Sequence, residues 1–392
     1  MAEPICLFLG AGASKAFGYP ITADILPLLA ERLGARTLFP TLNVVPAIRG
    51  DDQASVNSLG FLNDAMGALR KDLTAFLPSA LSPAALRPPV GEPLSVTDLL
   101  SLIDHMVVSE RPPLPAFSTE RLIRLRGLVQ RGIATVVSEP SNAARAASEA
   151  DRLQRLVAWL VSRRLAGDAI VTTNYDMTIE RPLVTLLTAQ GSPHETPLSQ
   201  RIDYGCSWRE AFGADDLAGP DPVRRRPQNP ELSFFKLHGS INWLHCGLCE
   251  HVYINPTGTI FQGAYVSRFG PESTCACGHR PLSTLLVAPS MVRDVRNPTL
   301  LSIWQSALDA LRRAKRWVFV GYSLPAEDLA IRSTLIRAYR TAPSPPDVEV
   351  YEDGPKPTVR LRYELLFGEK TRMFEGGMAE FVDNLPKESN AA

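Results

Sequence analysis

Long apolar segments are missing from this sequence of 392 residues. No stretch reaches the roughly 20 consecutive apolar residues that a helix needs to cross a bilayer, so no membrane partner is predicted. The first residues, MAEPICLFLGAGAS, contain an apolar run, but no basic region precedes it and glycines follow at once. They predict a first buried strand and not a secretory signal, and we expect a cytoplasmic protein.

An excess of charge of either sign is missing as well. Lysine and arginine total 41, and aspartate and glutamate also total 41. This balance argues against the strongly cationic surface that grips nucleic acid without sequence preference. The basic run RRR at 224–226 is typical of a solvated loop, so no direct nucleic-acid binding is predicted. The sequence also lacks a G-x-x-x-x-G-K-[ST] loop for ATP.

Cysteine is scarce for a chain of this length. Six cysteines are too few for a disulfide scaffold, and four of them form two close pairs, CGLC at 246–249 and CAC at 275–277. Two such pairs predict a tetrahedral zinc site, which is structural because four protein ligands leave no position for catalytic water. The predicted ligands are Cys246, Cys249, Cys275 and Cys277. Four unrelated surface thiols are the alternative, and His245, His251 or His279 could replace one cysteine.

Apolar runs with β-branched residues recur along the chain, and helical patterns lie between several of them. Continuous runs, rather than strict alternation, are typical of parallel strands that helices cover on both faces. The sequence therefore predicts an α/β fold with a doubly wound, mostly parallel Rossmann-like sheet. The predicted strands are ICLFLG (5–10), AIVTTN (169–174), SFFKLHG (233–239), TLLVAP (284–289), RWVFVGYS (316–323) and VEVYE (348–352).

The positions of these patterns divide the chain into three parts. Residues 22–165 have helical periodicity and almost no strand signal, so they predict a helical lobe inserted after the first strand and helix. Residues 244–280 hold the cysteine pairs and predict a zinc ribbon. The remaining segments, 1–21, 166–243 and 281–392, predict a nucleotide-binding core.

Glycine-rich or polar residues follow the predicted strands, where open α/β sheets bind ligands. GAGAS at 10–14 would let the backbone approach a phosphate, or would form only a tight turn. TTNYD at 172–176 suits hydrogen bonding to an amide or a ribose, or the capping of a helix. KLHGS at 236–240 would place His238 in the same crevice as a proton-exchanging group, unless that histidine is a satisfied core residue.

Two further motifs, VGYSLP at 320–325 and VEVYED at 348–353, also end strands. An acidic residue at such a position in a nucleotide-binding sheet can hold ribose hydroxyls. In chain order, GAGAS, TTNYD, HGS, the two cysteine pairs and GYS resemble the motifs of the sirtuin family and its sirtuin-like relatives. The resemblance covers the core between residues 5 and 353 and implies binding of NAD and a structural zinc ion.

The resemblance also implies a role for each matching residue. Asn174 would match the catalytic asparagine that positions a water by the nicotinamide ribose, and Asp176 the aspartate that binds the nicotinamide carboxamide. His238 would match the histidine that acts on the ribose hydroxyls as general base. The residues implied in cofactor binding are Gly10, Ala11, Gly12, Ser14, Thr173, Gly321, Ser323 and Glu352.

Three departures from the family pattern bear on the reaction. FGYPITADIL at 17–26 lacks the Phe-Arg pair of deacylating sirtuins, Cys275 and Cys277 have one residue between them instead of two, and Glu352 stands where the family often has asparagine. The chain thereby resembles the bacterial sirtuin-like branch that hydrolyses NAD, often as a defence effector during phage infection. An NAD-dependent protein deacylase, and a module that binds NAD or ADP-ribose without turnover, are the alternatives.

Uncontrolled hydrolysis of NAD would harm the cell that makes the protein. We therefore expect control by assembly into a homo-oligomer or by a regulatory protein partner. The helical lobe at 22–165 is the predicted surface for either. The presence of both Asn174 and His238 favours catalysis over sensing.

Overall fold

The computed structural model describes residues 3–35, 66–86, 93–109, 116–163, 167–190, 197–211, 226–258, 275–278, 282–287, 297–326 and 328–386. The strands in these ranges form two sheets. They are β1 (Ile5–Leu9), β2 (Ala169–Thr172), β3 (Ile202–Asp203), β4 (Trp208–Glu210), β5 (Leu232–Lys236), β6 (Gly239–His245), β7 (Val252–Ile254), β8 (Ser283–Leu286), β9 (Arg316–Val320), β10 (Asp347–Tyr351) and β11 (Arg372–Phe374).

The larger sheet has seven strands in the order β11-β10-β9-β1-β2-β5-β3, and its described pairings are all parallel. From β1 the chain adds β2 and β5 on one side and later returns with β9 and β10 on the other. The strand order therefore reverses beside β1, which opens a crevice at the carboxyl ends of the strands there. All five residues of β1 are buried, as expected for a strand covered on both faces. The predicted α/β fold with a mostly parallel sheet is confirmed.

The smaller sheet corrects one sequence prediction. The run TLLVAP forms β8, which pairs antiparallel with β6 in a sheet of order β4-β7-β6-β8, so its prediction as a strand of the parallel sheet is wrong. Burial alone makes a short run apolar, and the run therefore identifies neither the neighbour nor the direction of the strand. All seven residues of β6 are buried, beginning with Gly239 directly after His238. The chain thus passes directly from the carboxyl end of β5 in the larger sheet into β6 of the smaller sheet.

Helices cover the larger sheet and build the lobe. They are α1 (Ala11–Ala16), α2 (Thr22–Ala35), α3 (66–76), α4 (Pro83–Leu86), α5 (Val96–Val108), α6 (Thr119–Val137), α7 (Ala143–Ser148), α8 (Ala150–Ser162), α9 (Glu180–Gln190), α10 (Leu198–Arg201), α11 (Pro298–Arg313), α12 (Leu329–Thr341), α13 (Pro357–Phe367) and α14 (Gly377–Asp383). Helix α5 begins with a capping box, in which Ser95 Oγ accepts from the Asp98 backbone N–H at 3.0 Å and Asp98 Oδ2 accepts from the Ser95 N–H at 3.1 Å. None of the described helices is long and apolar enough to cross a membrane.

Two hydrophobic clusters account for most of the packing of these helices. The larger cluster is built on the parallel sheet and includes Leu156 and Leu160 of α8. The smaller one joins α2, α3, α5 and α6 and also takes in Met177 and Ile241 from outside the lobe. Helix α8 therefore packs on the sheet, whereas the preceding long helices share a core of their own. The division of the whole chain into core, lobe and ribbon stays a prediction.

Three glycines meet where β1 and β9 end. The backbone N–H groups of Gly10 and Gly12 donate to the carbonyls of Val320 at 3.0 Å and Gly321 at 2.9 Å. A Cβ on Gly10 would lie 2.4 Å from the Gly321 oxygen, and one on Gly321 would lie 2.2 Å from the Ala13 nitrogen. Gly321 also has a φ of +62°, which residues with a side chain adopt only at a cost. The turn after β1 can therefore pack on the end of β9 only because these residues are glycines.

Replacing Gly321 with alanine is expected to lower the free energy of unfolding by about 2 kcal/mol or more, because the new Cβ would overlap backbone atoms at a positive φ. Denaturant unfolding measures the loss. Gly34→Ala is the matched control, since Gly34 lies in α2 with nothing within 4 Å of an added Cβ, and alanine there should leave stability unchanged or raise it by about 1 kcal/mol. Equal stability of the two variants would contradict the close packing of the turn.

Candidate active site and cysteine cluster

A cavity of about 470 Å³ opens at the carboxyl ends of the parallel strands. Its wall is formed by the residues that follow β1, β2, β5, β9 and β10, together with residues of the helices that face them. The predicted site residues in this wall are Ala11, Gly12, Thr173, Asn174, Asp176, His238, Gly321, Ser323 and Glu352. Gly10 and Ser14 lie behind the wall, and Ser14 is only 1% exposed. The fold thus brings five distant segments of the chain to one cavity.

Asn174 fastens the end of β2 to the turn after β1. Its Nδ2 donates to the Gly10 carbonyl at 2.8 Å and to Ser14 Oγ at 2.9 Å, and its backbone N–H donates to Thr172 Oγ1 at 3.0 Å. Both amide hydrogens are therefore engaged within the protein. The Oδ1 atom remains to accept a hydrogen bond, so toward a ligand or a water Asn174 acts as an acceptor. Gly10 and Ser14 would contribute to the site by holding this side chain.

The TTNYD motif left open whether Asp176 faces a ligand site or caps a helix, and the structure is compatible with both roles. Its Oδ1 accepts from the Thr178 backbone N–H at 2.9 Å, which closes the turn before α9. The residue also lines the cavity. Its backbone carbonyl accepts from Lys236 Nζ at 2.7 Å, so the turn is held from the side of β5 as well.

His238 lies just past the end of β5 and is 5% exposed. Its backbone carbonyl accepts from the Val287 N–H at 2.9 Å, and the preceding carbonyl of Leu237 accepts from Trp304 Nε1 at 2.9 Å. The imidazole lies 6.1 Å from the ring of Tyr175, measured between ring centroids. Tyr175 in turn donates from its hydroxyl to the Val287 carbonyl at 2.5 Å. These contacts hold the backbone on both sides of His238 while the residue lines the cavity.

Glu352 places a buried carboxylate directly after β10. The residue is 3% exposed, and its Oε2 accepts from Lys356 Nζ at 2.6 Å. Its Oε1 is buried and has no hydrogen-bond partner among the described residues. A buried acceptor without a donor is costly, and a ligand that supplied a donor would remove the cost. Because Glu352 also lines the cavity, its assignment to a ribose hydroxyl stays a prediction.

Basic side chains also border the cavity. They are Lys15, Arg145, Arg152 and Lys356. Arg152 forms an ion pair with Glu149, and Lys356 forms one with Glu352. Acidic side chains line the same wall, among them Asp328 and Asp353, so the cavity carries charges of both signs.

A buried polar network lies behind Asp176, and only its Lys236 belongs to a sequence motif, KLHGS at 236–240. Lys236 Nζ is 2.7 Å from Glu180 Oε2, and both side chains are 1% exposed. The Tyr204 hydroxyl donates to Glu180 Oε1 at 2.5 Å, and Asn242 Nδ2 donates to the same oxygen at 3.2 Å. Burial, together with the Glu180 carboxylate, raises the pKa of Tyr204 well above its ordinary value, so its hydroxyl stays a donor. The signal in the sequence is faint, because charged residues are usually exposed.

The four predicted zinc ligands lie together. Their sulfur atoms are all within 4.8 Å of one another, with 3.7 Å between Cys246 and Cys277 and 3.4 Å between Cys249 and Cys275. Zinc–sulfur bonds of about 2.3 Å in a tetrahedron place the sulfurs about 3.8 Å apart. The cluster therefore fits a structural zinc ion, which would tie the end of β6 to the segment at 275–278.

The histidines near this cluster take other contacts. His245 Nε2 lies 2.7 Å from Glu250 Oε2, and the His251 ring stacks on Tyr253 with 4.6 Å between centroids. Neither belongs to the group of possible ligands among the described residues, and His279 lies outside those residues. The Tyr253 hydroxyl lies 3.2 Å from Cys275 Sγ, so it contacts a predicted ligand from behind.

Comparisons with known proteins leave the family open. No family model and no curated protein matches the sequence. Two solved structures are similar over most of their length: Sir2 in complex with the inhibitor EX-527, 2′-O-acetyl-ADP-ribose and a deacetylated p53 peptide, and Sir2Tm bound to a propionylated peptide. Each is 11% identical to this chain and has a TM-score of 0.32, and each match covers 97% of this chain. The first match covers 91% of the solved chain and the second covers 90%. A likeness at this identity and TM-score is too low to identify a function.

The purified protein is expected to hold one zinc ion per chain, which elemental mass spectrometry measures. Cys249→Ser should lose the ion and unfold at a lower temperature, because metal binding at such a site contributes to folding. Cys206→Ala is the matched control and should keep the ion. Cys206 lies outside the cluster, and burial, with the nearby Asp203, raises its pKa to about 12. Absence of zinc from the unmodified protein would contradict the prediction.

Proposed function

We propose that this chain hydrolyses NAD to nicotinamide and ADP-ribose. The observation that carries the proposal is that Asn174, Asp176 and His238 line one cavity at the carboxyl edge of a parallel sheet, beside the point where the strand order reverses. Open α/β sheets bind nucleotides at that edge. The motifs that resemble those of sirtuins supply the assignment of the three side chains.

The reaction breaks the bond between the nicotinamide nitrogen and C1′ of its ribose, and the bonding electrons leave with nicotinamide. Asp176 would hold the carboxamide of the leaving group. Asn174 Oδ1 would accept a hydrogen bond from a water whose lone pair faces C1′, because the Nδ2 hydrogens of this residue are engaged with Gly10 and Ser14. His238, acting on the ribose hydroxyls as a general base, would stabilise the positive charge that develops on the sugar. The products are nicotinamide, ADP-ribose and one proton.

The remainder of the cavity suits the other half of NAD. Glu352 Oε1 would accept from a ribose hydroxyl, and the residues after β9, Gly321 and Ser323, would lie along the phosphates and the adenosine. Ala11 and Gly12 would approach the phosphates through their backbone, and Thr173 would contribute from the end of β2. Lys15 would offset part of the charge of the pyrophosphate.

The departures from the sirtuin motif pattern support hydrolysis over acyl transfer. FGYPITADIL at 17–26 lacks the Phe-Arg pair of deacylating sirtuins. A deacylase also has to seat an extended peptide between the core and the ribbon, whereas attack by water needs no peptide groove.

We further propose that the enzyme serves as a bacterial anti-phage effector, as in the branch that it resembles, and that assembly or a protein partner controls it. The helices of the predicted lobe carry exposed apolar side chains, namely Val108 at 67%, Ile123 at 54% and Leu102 at 42% exposure. Exposed apolar side chains also lie outside the lobe, for example Leu365 at 82% and Leu329 at 67% exposure, so they do not single out one surface. The choice of the lobe as the regulatory surface is therefore a proposal that follows from the need to control the activity.

Purified protein mixed with NAD is expected to release nicotinamide and ADP-ribose in equal amounts without any peptide. His238→Ala should lower kcat roughly 100-fold or more, because a general base contributes at least that much. Chromatographic separation of the products measures both. His105→Ala is the matched control and should keep full turnover, since His105 is an exposed residue of α5 outside the cavity.

Full activity of His238→Ala would contradict the assignment. Turnover that requires an acetylated peptide would identify a deacylase, and binding of NAD without turnover under either condition would favour a sensing module. Asn174→Ala is less decisive, because that side chain also holds Gly10 and Ser14. Its unfolding has to be measured beside its activity.

Glu352→Gln is expected to raise the KM for NAD about tenfold or more and to change kcat little, because a hydrogen bond to a charged acceptor is worth about 1.5–3 kcal/mol and lies away from the bond that breaks. Steady-state kinetics separate the two parameters. Glu349→Gln is the control, since Glu349 is a buried carboxylate of β10 that is paired with Arg316 at 2.8 Å and lies outside the cavity. An equal KM for both variants would show that Glu352 does not bind the substrate.

A further inference from the structure

The buried pair of Lys236 and Glu180 has no direct role in the reaction proposed above. Both side chains are 1% exposed, so the charges of both have been removed from water. Such a pair is a poor source of stability, because the loss of hydration offsets the attraction and an apolar pair of similar volume often serves as well. Stability therefore does not explain why this pair is buried with hydrogen bonds to both oxygens of Glu180.

The pair joins the two sheets to the helix that follows the TTNYD motif. Lys236 is the last residue of β5, and Glu180 is the first residue of α9. Asn242 of β6 donates from Nδ2 to Glu180 Oε1 at 3.2 Å and to the Asn255 carbonyl at 2.9 Å. With the Tyr204 hydroxyl also on Oε1, both oxygens of Glu180 are hydrogen-bonded. The position of the Lys236 ammonium group is thereby fixed from several elements.

From that position Lys236 reaches the cavity wall. Its Nζ donates to the Asp176 carbonyl at 2.7 Å as well as to Glu180. Its own backbone lies two residues before His238. One side chain therefore links the turn that carries Asp176 to the end of β5, from which the chain continues to His238, and displacement of either residue by about 1 Å is enough to reduce catalysis strongly.

We propose that Lys236 is a positioning residue that sets Asp176 against the nicotinamide end of the substrate, with Glu180 holding the lysine. This inference rests on the proposed function, because it takes from it the assignment of Asp176 to the carboxamide. The contact concerns the leaving group only. Loss of the contact should therefore weaken recognition of nicotinamide and leave recognition of ADP-ribose intact.

The test compares two variants that both lack the ion pair. Glu180→Gln keeps the lysine, with the new amide oxygen in place of the carboxylate and the Asp176 carbonyl as its acceptors, whereas Lys236→Met combined with Glu180→Gln removes the contact with Asp176 without leaving a charged carboxylate unpaired. Lys236→Gln combined with Glu180→Gln is a second form of the double variant, with an amide too short to reach Asp176. Thermal unfolding identifies which proteins are folded, and calorimetry measures the binding of ADP-ribose. Product inhibition of NAD turnover gives the inhibition constant of nicotinamide.

We expect the inhibition constant of nicotinamide to be about tenfold higher in a folded double variant than in Glu180→Gln, with kcat lowered in parallel and ADP-ribose bound within twofold. A nicotinamide constant within twofold of that of Glu180→Gln would overturn the proposal, as would an equal loss of affinity for both ligands, which indicates a general structural effect. An unmodified protein that neither binds ADP-ribose nor consumes NAD would contradict the proposed function itself. That failure appears before any substitution is made, so the two failures are distinguishable.

Discussion

The arrangement of the site depends on the parallel pairing of β1 with β2 on one side and β9 on the other. In this register Leu9 lies level with both Thr172 and Val320. The ladder continues one residue past the strands, because Gly10 N–H donates to the Val320 carbonyl at 3.0 Å and Thr173 N–H donates to the Leu9 carbonyl at 3.3 Å. The chain therefore leaves each strand at the same level, and residues more than 100 positions apart face one cavity. A shift of one register step would separate them.

The same pairing imposes a second constraint, because it brings the turns after β1 and β9 into backbone contact. Only glycine tolerates the contact between Gly10 and Gly321, and the Gly10 carbonyl is then capped by the amide of Asn174. A residue proposed to place the reacting water is thus also part of the scaffold. The two roles do not conflict, since the scaffold uses the donors of the amide and leaves the acceptor.

The sequence predicts the five longer strands of the parallel sheet and misses its two short edge strands, β3 and β11, as well as most of the smaller sheet. Strands buried on both faces are continuous apolar runs, which is why β1, β2, β5, β9 and β10 are found within a few residues of their ends. Strands of two or three residues, such as β3, β4, β7 and β11, are too short to show a period, and the partner of β8 is set by tertiary packing. The site residues at strand ends could be proposed because topology brings such ends together. Lys236 lies within the predicted buried run SFFKLHG at 233–239, but its partner Glu180 could not be proposed, because nothing local marks that carboxylate as buried.

The buried charged residues near the cavity are not explained by folding stability alone. An apolar residue at Glu352 would avoid an unpartnered carboxylate oxygen, and an apolar pair at Lys236 and Glu180 would avoid two desolvated charges. Glu352 lines the cavity at the end of β10, and the pair of Lys236 and Glu180 lies behind the turn of Asp176, which lines it. A bound ribose would supply the donor that Glu352 lacks, and the lysine adds a contact to the Asp176 carbonyl in a turn that Ile241 N–H and Ser240 Oγ also hold through the Tyr175 carbonyl. The free-energy cost of burying these charges therefore falls on residues at which a ligand or a precise geometry can offset it. That pattern is expected of a functional site.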